Sequence, residues 1–129
     1  METTITGYRS KNYNQPTKRY CQTLDLKDNS ELIAEYRRLH SEPYMWKEIM
    51  MGIREVGILE MEIYILGTRL FMIVETPIDF DWESAMKRLG TLSRQDEWET
   101  LVANYQQADP KAGSAEKWKL MERIFHLYE

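Results

Sequence analysis

Tyr36 and His40 are the pair in this sequence whose types and spacing could do chemistry. Four residues apart on a helix, they stand on one face, one turn from each other. Imidazole titrates near neutrality and can both give and take a proton, and a phenol beside it makes the pair a candidate general acid/base. Spacing alone favours a plainer reading, a helix-end histidine that is hydrogen-bonded and stabilised by the C-terminal dipole. Glu60 and Glu62 alternate onto one side of a strand. Carboxylates so placed are by default a solvated or partner-facing polar edge, with proton transfer as the sharper alternative. Trp46 and Trp98 lie in helical stripes, where core packing is the default. A sugar pocket would use such an aromatic face against the apolar side of the ring.

Other chemistries lack their signatures. There is no GxGxxG, P-loop, HExxH or CxxC, so no cofactor or phosphate cradle is expected. His40 and His126 lie far apart, with no His or Cys at ligand spacing, and no metal site is expected. Cys21, the single cysteine, reads as a small core residue, and a chain without a disulfide suits a reducing cytoplasm. A net charge of −4 argues against nucleic acid or an anionic membrane as partner. Apolar runs such as Leu70–Val74 are far short of a membrane span, and METTITGYRS has no secretory pattern. Four Trp, eight Tyr and three Phe are an unusual supply of planes for stacking on a ring-shaped ligand.

The elements that must position these residues follow from periodicity. The 129 residues suffice for one domain. Residues 1–19 carry four basic groups against one acid, show no apolar period and read as a flexible tail ahead of a domain over 20–129. Tyr20–Leu26 alternates as a strand. Asp28 with Glu31 resembles a capping box for a helix bearing Leu32, Tyr36, Leu39 and His40. A second helical stripe, Trp46, Ile49, Met50 and Ile53, ends at Gly57. Ile58–Leu66 and Arg69–Glu75 form a hairpin about Gly67-Thr68. Helices then follow over Asp81–Leu89 and, capped by Ser93 with Asp96, through Trp98, Leu101, Val102 and Tyr105. Trp118–Tyr128 alternates as a last strand. The order β-α-(α)-β-β-α-(α)-β is the ferredoxin-like α+β arrangement, βαββαβ. Its helices cover one sheet face, and the apolar groups on the other face predict a homodimer that packs two sheets together.

Taken in order, Tyr36-Arg37-Arg38-Leu39-His40, Trp46-x-Glu48-Ile49, Gly57, Ile63-Tyr64, Leu70–Glu75, Gln95-x-x-Trp98 and Ile124-Phe125-x-Leu127 resemble the L-rhamnose mutarotase family over about residues 18–128. The resemblance implies a dimeric α+β barrel and an isomerase that interconverts the α and β anomers of a 6-deoxy sugar without a cofactor. It implies His40 as proton donor and Tyr36 and Trp98 as sugar contacts. Where the family has a tryptophan pair this chain has Glu97-Trp98, and Met61 stands where the family has a sugar-binding tyrosine. Two extra residues separate His40 from Trp46. Mutarotation needs a proton delivered to the ring oxygen and one removed from the anomeric hydroxyl, chemistry for two acid/base groups and no metal. Beside His40, the second group is open among Glu60, Glu62, Tyr36, Glu97 and water. The sugar expected is L-rhamnose, with L-fucose or another sugar as the alternative. A cofactor-free monooxygenase of the same dimeric fold and a non-catalytic ligand-binding module are the rival classes.

Overall fold

Two long strands in register organise the molecule. The computed structural model describes residues 7–109 and 111–128. Its elements are β1 (Thr17–Asp25), α1 (Ser30–Leu39), α2 (Lys47–Glu55), β2 (Glu60–Leu66), β3 (Arg69–Pro77), α3 (Trp82–Leu89), α4 (Gln95–Ala103), the short α5 (Ser114–Lys117) and β4 (Lys119–Leu120). β1 and β3 pair antiparallel from Thr17 opposite Pro77 to Asp25 opposite Arg69. β2 joins the far edge of β3, turning through Gly67 at φ 61°, and β4 joins β1. The antiparallel order β2-β3-β1-β4 is that of a ferredoxin-like sheet.

Alternation sorts each strand between two environments. Leu70, Met72, Val74 and Thr76 of β3 and Gln22 and Leu24 of β1 are buried toward the helices. There they meet Tyr36 and Leu39 of α1, Ile49 of α2, Leu89 of α3, and Trp98 and Val102 of α4. The opposite face carries Arg19, Cys21 and Thr23, then Phe71, Ile73 and Glu75, then Glu60, Glu62 and Tyr64, none of them buried. Among the described residues no helix covers that face.

The structure adjusts several boundaries. β1 starts at Thr17, taking in three residues assigned from sequence to the leading tail. Thr17 Oγ1 donates to Glu75 Oε2 at 2.9 Å and the Lys18 ammonium to the Phe80 carbonyl, so these polar residues gain partners that no periodicity reveals. Ahead of the strand, Tyr13 Oη donates to the Leu59 carbonyl at 3.0 Å and Tyr8 packs edge-on against Tyr64. Residues 1–6 of the tail lie outside the described residues. The cap of α1 is Asn29, one residue past the expected Asp28, because its side chain is the one that accepts from the Glu31 and Leu32 amides. α4 has no side-chain cap at all. Arg94 precedes it in the left-handed region at φ 62°, and Asp96 and Glu97 supply negative charge to its first turn.

The largest correction is at the C-terminal end. Where the sequence predicts a strand over Trp118–Tyr128, only Lys119 and Leu120 pair with β1, and the Met121 amide adds one bond to the Cys21 carbonyl. Beyond that, Ile124, Phe125, Leu127 and Tyr128 are 71–93% exposed. The alternating apolar pattern is real, but this chain's own sheet offers it no surface.

Candidate active site

α1 places the acid/base pair. Its amphipathic face buries Tyr36 and Leu39, and His40 is the residue at which the helix stops. His40 Nδ1 lies 2.8 Å from the Tyr36 carbonyl oxygen. A carbonyl can only accept, so Nδ1 carries the hydrogen, and in the neutral ring Nε2 holds the lone pair. The imidazole is clamped between Tyr36, centroids 4.3 Å apart, and the edge of Trp98 at 5.2 Å. Burial lowers the His40 pKa from its ordinary value, and the bond to the Tyr36 carbonyl opposes that shift only in part. The resting side chain is therefore a neutral base. Tyr36 is pushed up to about 12 by burial, against a smaller opposing effect of the Gln106 side chain. It stays protonated at any physiological pH and serves as a hydrogen-bonding group.

Around this pair is a cavity of about 120 Å³ between the sheet and the helices. Trp82, Trp98 and Trp118 supply planes, Met45, Met61, Met72 and Met86 supply adaptable apolar wall, and Gln22, Gln95 and Gln106 supply amides. Among the described residues no Lys, Arg, Asp or Glu lines it. It adjoins a groove of about 370 Å³ that shares His40, Met45, Ile53, Ile58, Met61 and Ile63 and adds Arg54 and Glu60 at its rim. Trp46 meets Trp98 edge-on at 5.3 Å, with the Arg94 guanidinium stacked 3.9 Å from its ring centroid. Glu48 and Glu97 hold that guanidinium at 3.7 and 3.5 Å.

The sequence-derived candidates divide accordingly. His40, Tyr36 and Trp98 come together in the cavity wall, and Glu60 shares the adjoining groove with His40. Glu62 lies on the open sheet face, where its carboxylate accepts from the Tyr64 hydroxyl at 3.4 Å. Glu97 pairs with Arg94 outside the cavity. The three glutamines are the residues that sequence reasoning missed. Gln22 occupies an inward position of β1 between Tyr20 and Leu24, and Gln95 shares the helical face of Trp98 and Val102, so a polar residue at an apolar position was the signal for both. Gln106 lies in a loop bridged to Leu26, where no period could flag it. Among the described residues there is no cluster of three His, Cys, Asp or Glu able to hold a metal ion, and no helix long and apolar enough to cross a membrane.

Chemically, the cavity offers a neutral ligand three things. It presents flat aromatic surface, amide groups for hydroxyls, and one imidazole lone pair ready to take a proton. An anion would enter without a counter-charge in the wall.

Comparisons with known proteins place the chain in a family. A family profile described as L-rhamnose mutarotase matches residues 19–127. An L-fucose mutarotase of Xanthomonas campestris pv. campestris is 37% identical over 112 residues, covering 87% of this chain and 90% of that protein. A Dictyostelium discoideum protein of the UPF0734 group is 36% identical over 114 residues, covering 85% of this chain and 90% of the relative. Among solved structures, an L-rhamnose mutarotase from Formosa agariphila superposes with a TM-score of 0.58 over 86% of this chain and 99% of its own, at 17% identity, a likeness of fold. Fold and relatives together define an isomerase of the sugar mutarotase class. The chain belongs to the L-rhamnose mutarotase family.

Proposed function

We propose that the protein interconverts the α and β anomers of a free 6-deoxy hexose, with His40 as its proton-transfer group. The observation that carries this reading is the His40 lone pair, fixed by the Nδ1 bond to the Tyr36 carbonyl, at the wall of an aromatic and amide-lined cavity without a charged side chain. His40 Nε2 takes the proton of the anomeric hydroxyl. The bond from the anomeric carbon to the ring oxygen breaks as the ring oxygen gains a proton from a second group. The aldehyde turns about its bond and recloses on the other face: the hydroxyl formed from the ring oxygen gives its proton back to the second group as it attacks, and the imidazolium returns its proton to the aldehyde oxygen. Glu60, in the groove beside His40, or a water there is the second group. Tyr36 and Trp98 contact the sugar, the latter by laying a plane against the ring.

L-rhamnose, the sugar named by the family profile, is the first substrate to test. L-fucose is the second reading, favoured by the Xanthomonas relative. Saturation-transfer NMR decides between them, because a mutarotase speeds exchange of magnetisation between the two anomeric protons. Exchange is expected to accelerate for one of the two sugars. Acceleration of neither, nor of any other 6-deoxy hexose in a panel, would sink the reading and return the monooxygenase and the binding module to the front.

The same proposal includes a homodimer joined through the open sheet faces. The half-buried Cys21, Phe71 and Ile73 on that face and the exposed Ile124, Phe125, Leu127 and Tyr128 support it, since a second copy would give both sets a surface.

A further inference from the structure

The three cavity glutamines are 3–6% exposed, and a buried amide is costly unless both of its ends are paired. Gln22 Nε2 donates to the Trp118 carbonyl at 3.5 Å, and Gln95 Nε2 donates to Glu99 Oε2 at 3.0 Å. Gln106 lines the cavity with Tyr36, and its side chain works against the rise that burial imposes on that phenol's pKa. Its backbone is fixed by the bridge to Leu26, and the next residue's amide bonds the Asp25 carbonyl at 2.8 Å. Yet Gln106 Oε1, among the described residues, is the buried side-chain oxygen that finds no hydrogen-bond partner. Turning the amide over would exchange its ends and leave the nitrogen over instead. Either way one end of the amide is held in the cavity wall without a partner.

A protein rarely buries such a group unless something else pairs with it. The cavity wall next to it is rich in methionine, whose side chains can yield to an entering ring. We propose that Gln106 is a specificity-determining residue whose spare amide end hydrogen-bonds one hydroxyl of the bound sugar. This rests on the mutarotase reading and deepens it. His40 acts at the anomeric carbon, so the hydroxyl read by Gln106 lies elsewhere on the ring. Gln106 therefore decides which epimer is accepted rather than how fast a given ring opens. A site built around a hydrogen bond rejects a ligand lacking that hydroxyl far more strongly than an apolar wall does, because the amide is then left unpaired.

The test compares wild type with Gln106→Met, which keeps the length of the side chain and removes its hydrogen bonding. Anomer exchange is followed by saturation-transfer NMR on the accepted sugar and on each of its monodeoxy analogues, with circular dichroism to confirm the fold. In wild type, loss of one particular hydroxyl is expected to lower kcat/KM by at least about tenfold. In Gln106→Met, that same analogue and its parent are expected to fall within about threefold of each other, with ratios at the other positions unchanged. Equal ratios in both proteins at every position would overturn the inference. If Gln106→Met does not fold, Gln106→Asn takes its place: it keeps an amide but draws it back by one carbon, so discrimination at the same single position should relax. Unchanged ratios there would also overturn it. A wild type that accelerates no sugar would refute the mutarotase reading instead, which keeps the two failures apart.

Discussion

Replacing His40 by Asn separates chemistry from architecture. The Asn amide nitrogen can occupy the place of Nδ1 and keep the bond to the Tyr36 carbonyl, now 2.8 Å, while everything at Nε2 is lost. A positioned acid or base contributes about 10²–10⁴ in rate, so the barrier should rise by about 2.7–5.4 kcal/mol. The structural loss is smaller. Two ring contacts disappear, to Tyr36 and to Trp98, at about 0.5–1.5 kcal/mol each. A domain of ordinary stability, starting at about 5 kcal/mol or more, then remains about 95% folded or better at 25 °C. Unfolding therefore cannot imitate a hundredfold loss of rate. The assay is anomer exchange by saturation transfer on whichever 6-deoxy sugar the wild type accelerates, with a thermal melt of the same sample. Exchange within about threefold of wild type in a folded variant would refute the role of His40.

The catalytic rate should fall as pH drops below the ordinary histidine range and level off above it, because the lowered His40 pKa keeps the working neutral base present at pH 7. Stability should follow the same direction: the unfolded chain binds the histidine proton first, so the contribution of His40 is whole above about pH 6.5 and is lost as pH falls through the lowered folded value, which an acid titration of the melting temperature would show. Trp98→Phe should raise KM several-fold with kcat within about twofold, since a stacking plane holds ground state and transition state alike. A kcat loss with unchanged KM would contradict that role. Truncation to Ala is the poorer test, for Trp98 is 7% exposed and its removal would cost about 3–5 kcal/mol of stability. Ending the chain at Met121 should convert a dimer to a monomer by light scattering, and a full-length monomer at micromolar concentration would refute the sheet-to-sheet pairing.

The sequence made the architecture legible wherever one side of an element is buried. The inward alternation of Leu70, Met72 and Val74 and the stripe of Tyr36 and Leu39 are periodic because packing makes them so. Legibility failed where a residue takes its partner from far along the chain. Thr17 reads as tail because Glu75, which completes it, is 58 residues away. Residues after Met121 read as a strand because they alternate, although none of the described ones pairs with this chain's own sheet. In the site, spacing placed Tyr36 and His40 on one face, and that alone favoured a plain helix-end histidine. What spacing could not supply was the tautomer, fixed by a backbone carbonyl, or the cavity, assembled from both halves of the chain. Gln106 was invisible for the same reason, a loop residue whose importance arises only where it meets Tyr36.

The cavity around His40 occupies space that the core would otherwise fill. A ligand that fills it and binds only the native state adds about 2.7 kcal/mol of stability when present at a hundred times its dissociation constant. The unfolded fraction of such a chain would change about a hundredfold between scarcity and plenty of its sugar. Cellular proteases act on that fraction, so the lifetime of the protein would lengthen when there is substrate to turn over and shorten when there is none. Supply would set abundance with no transcription factor involved.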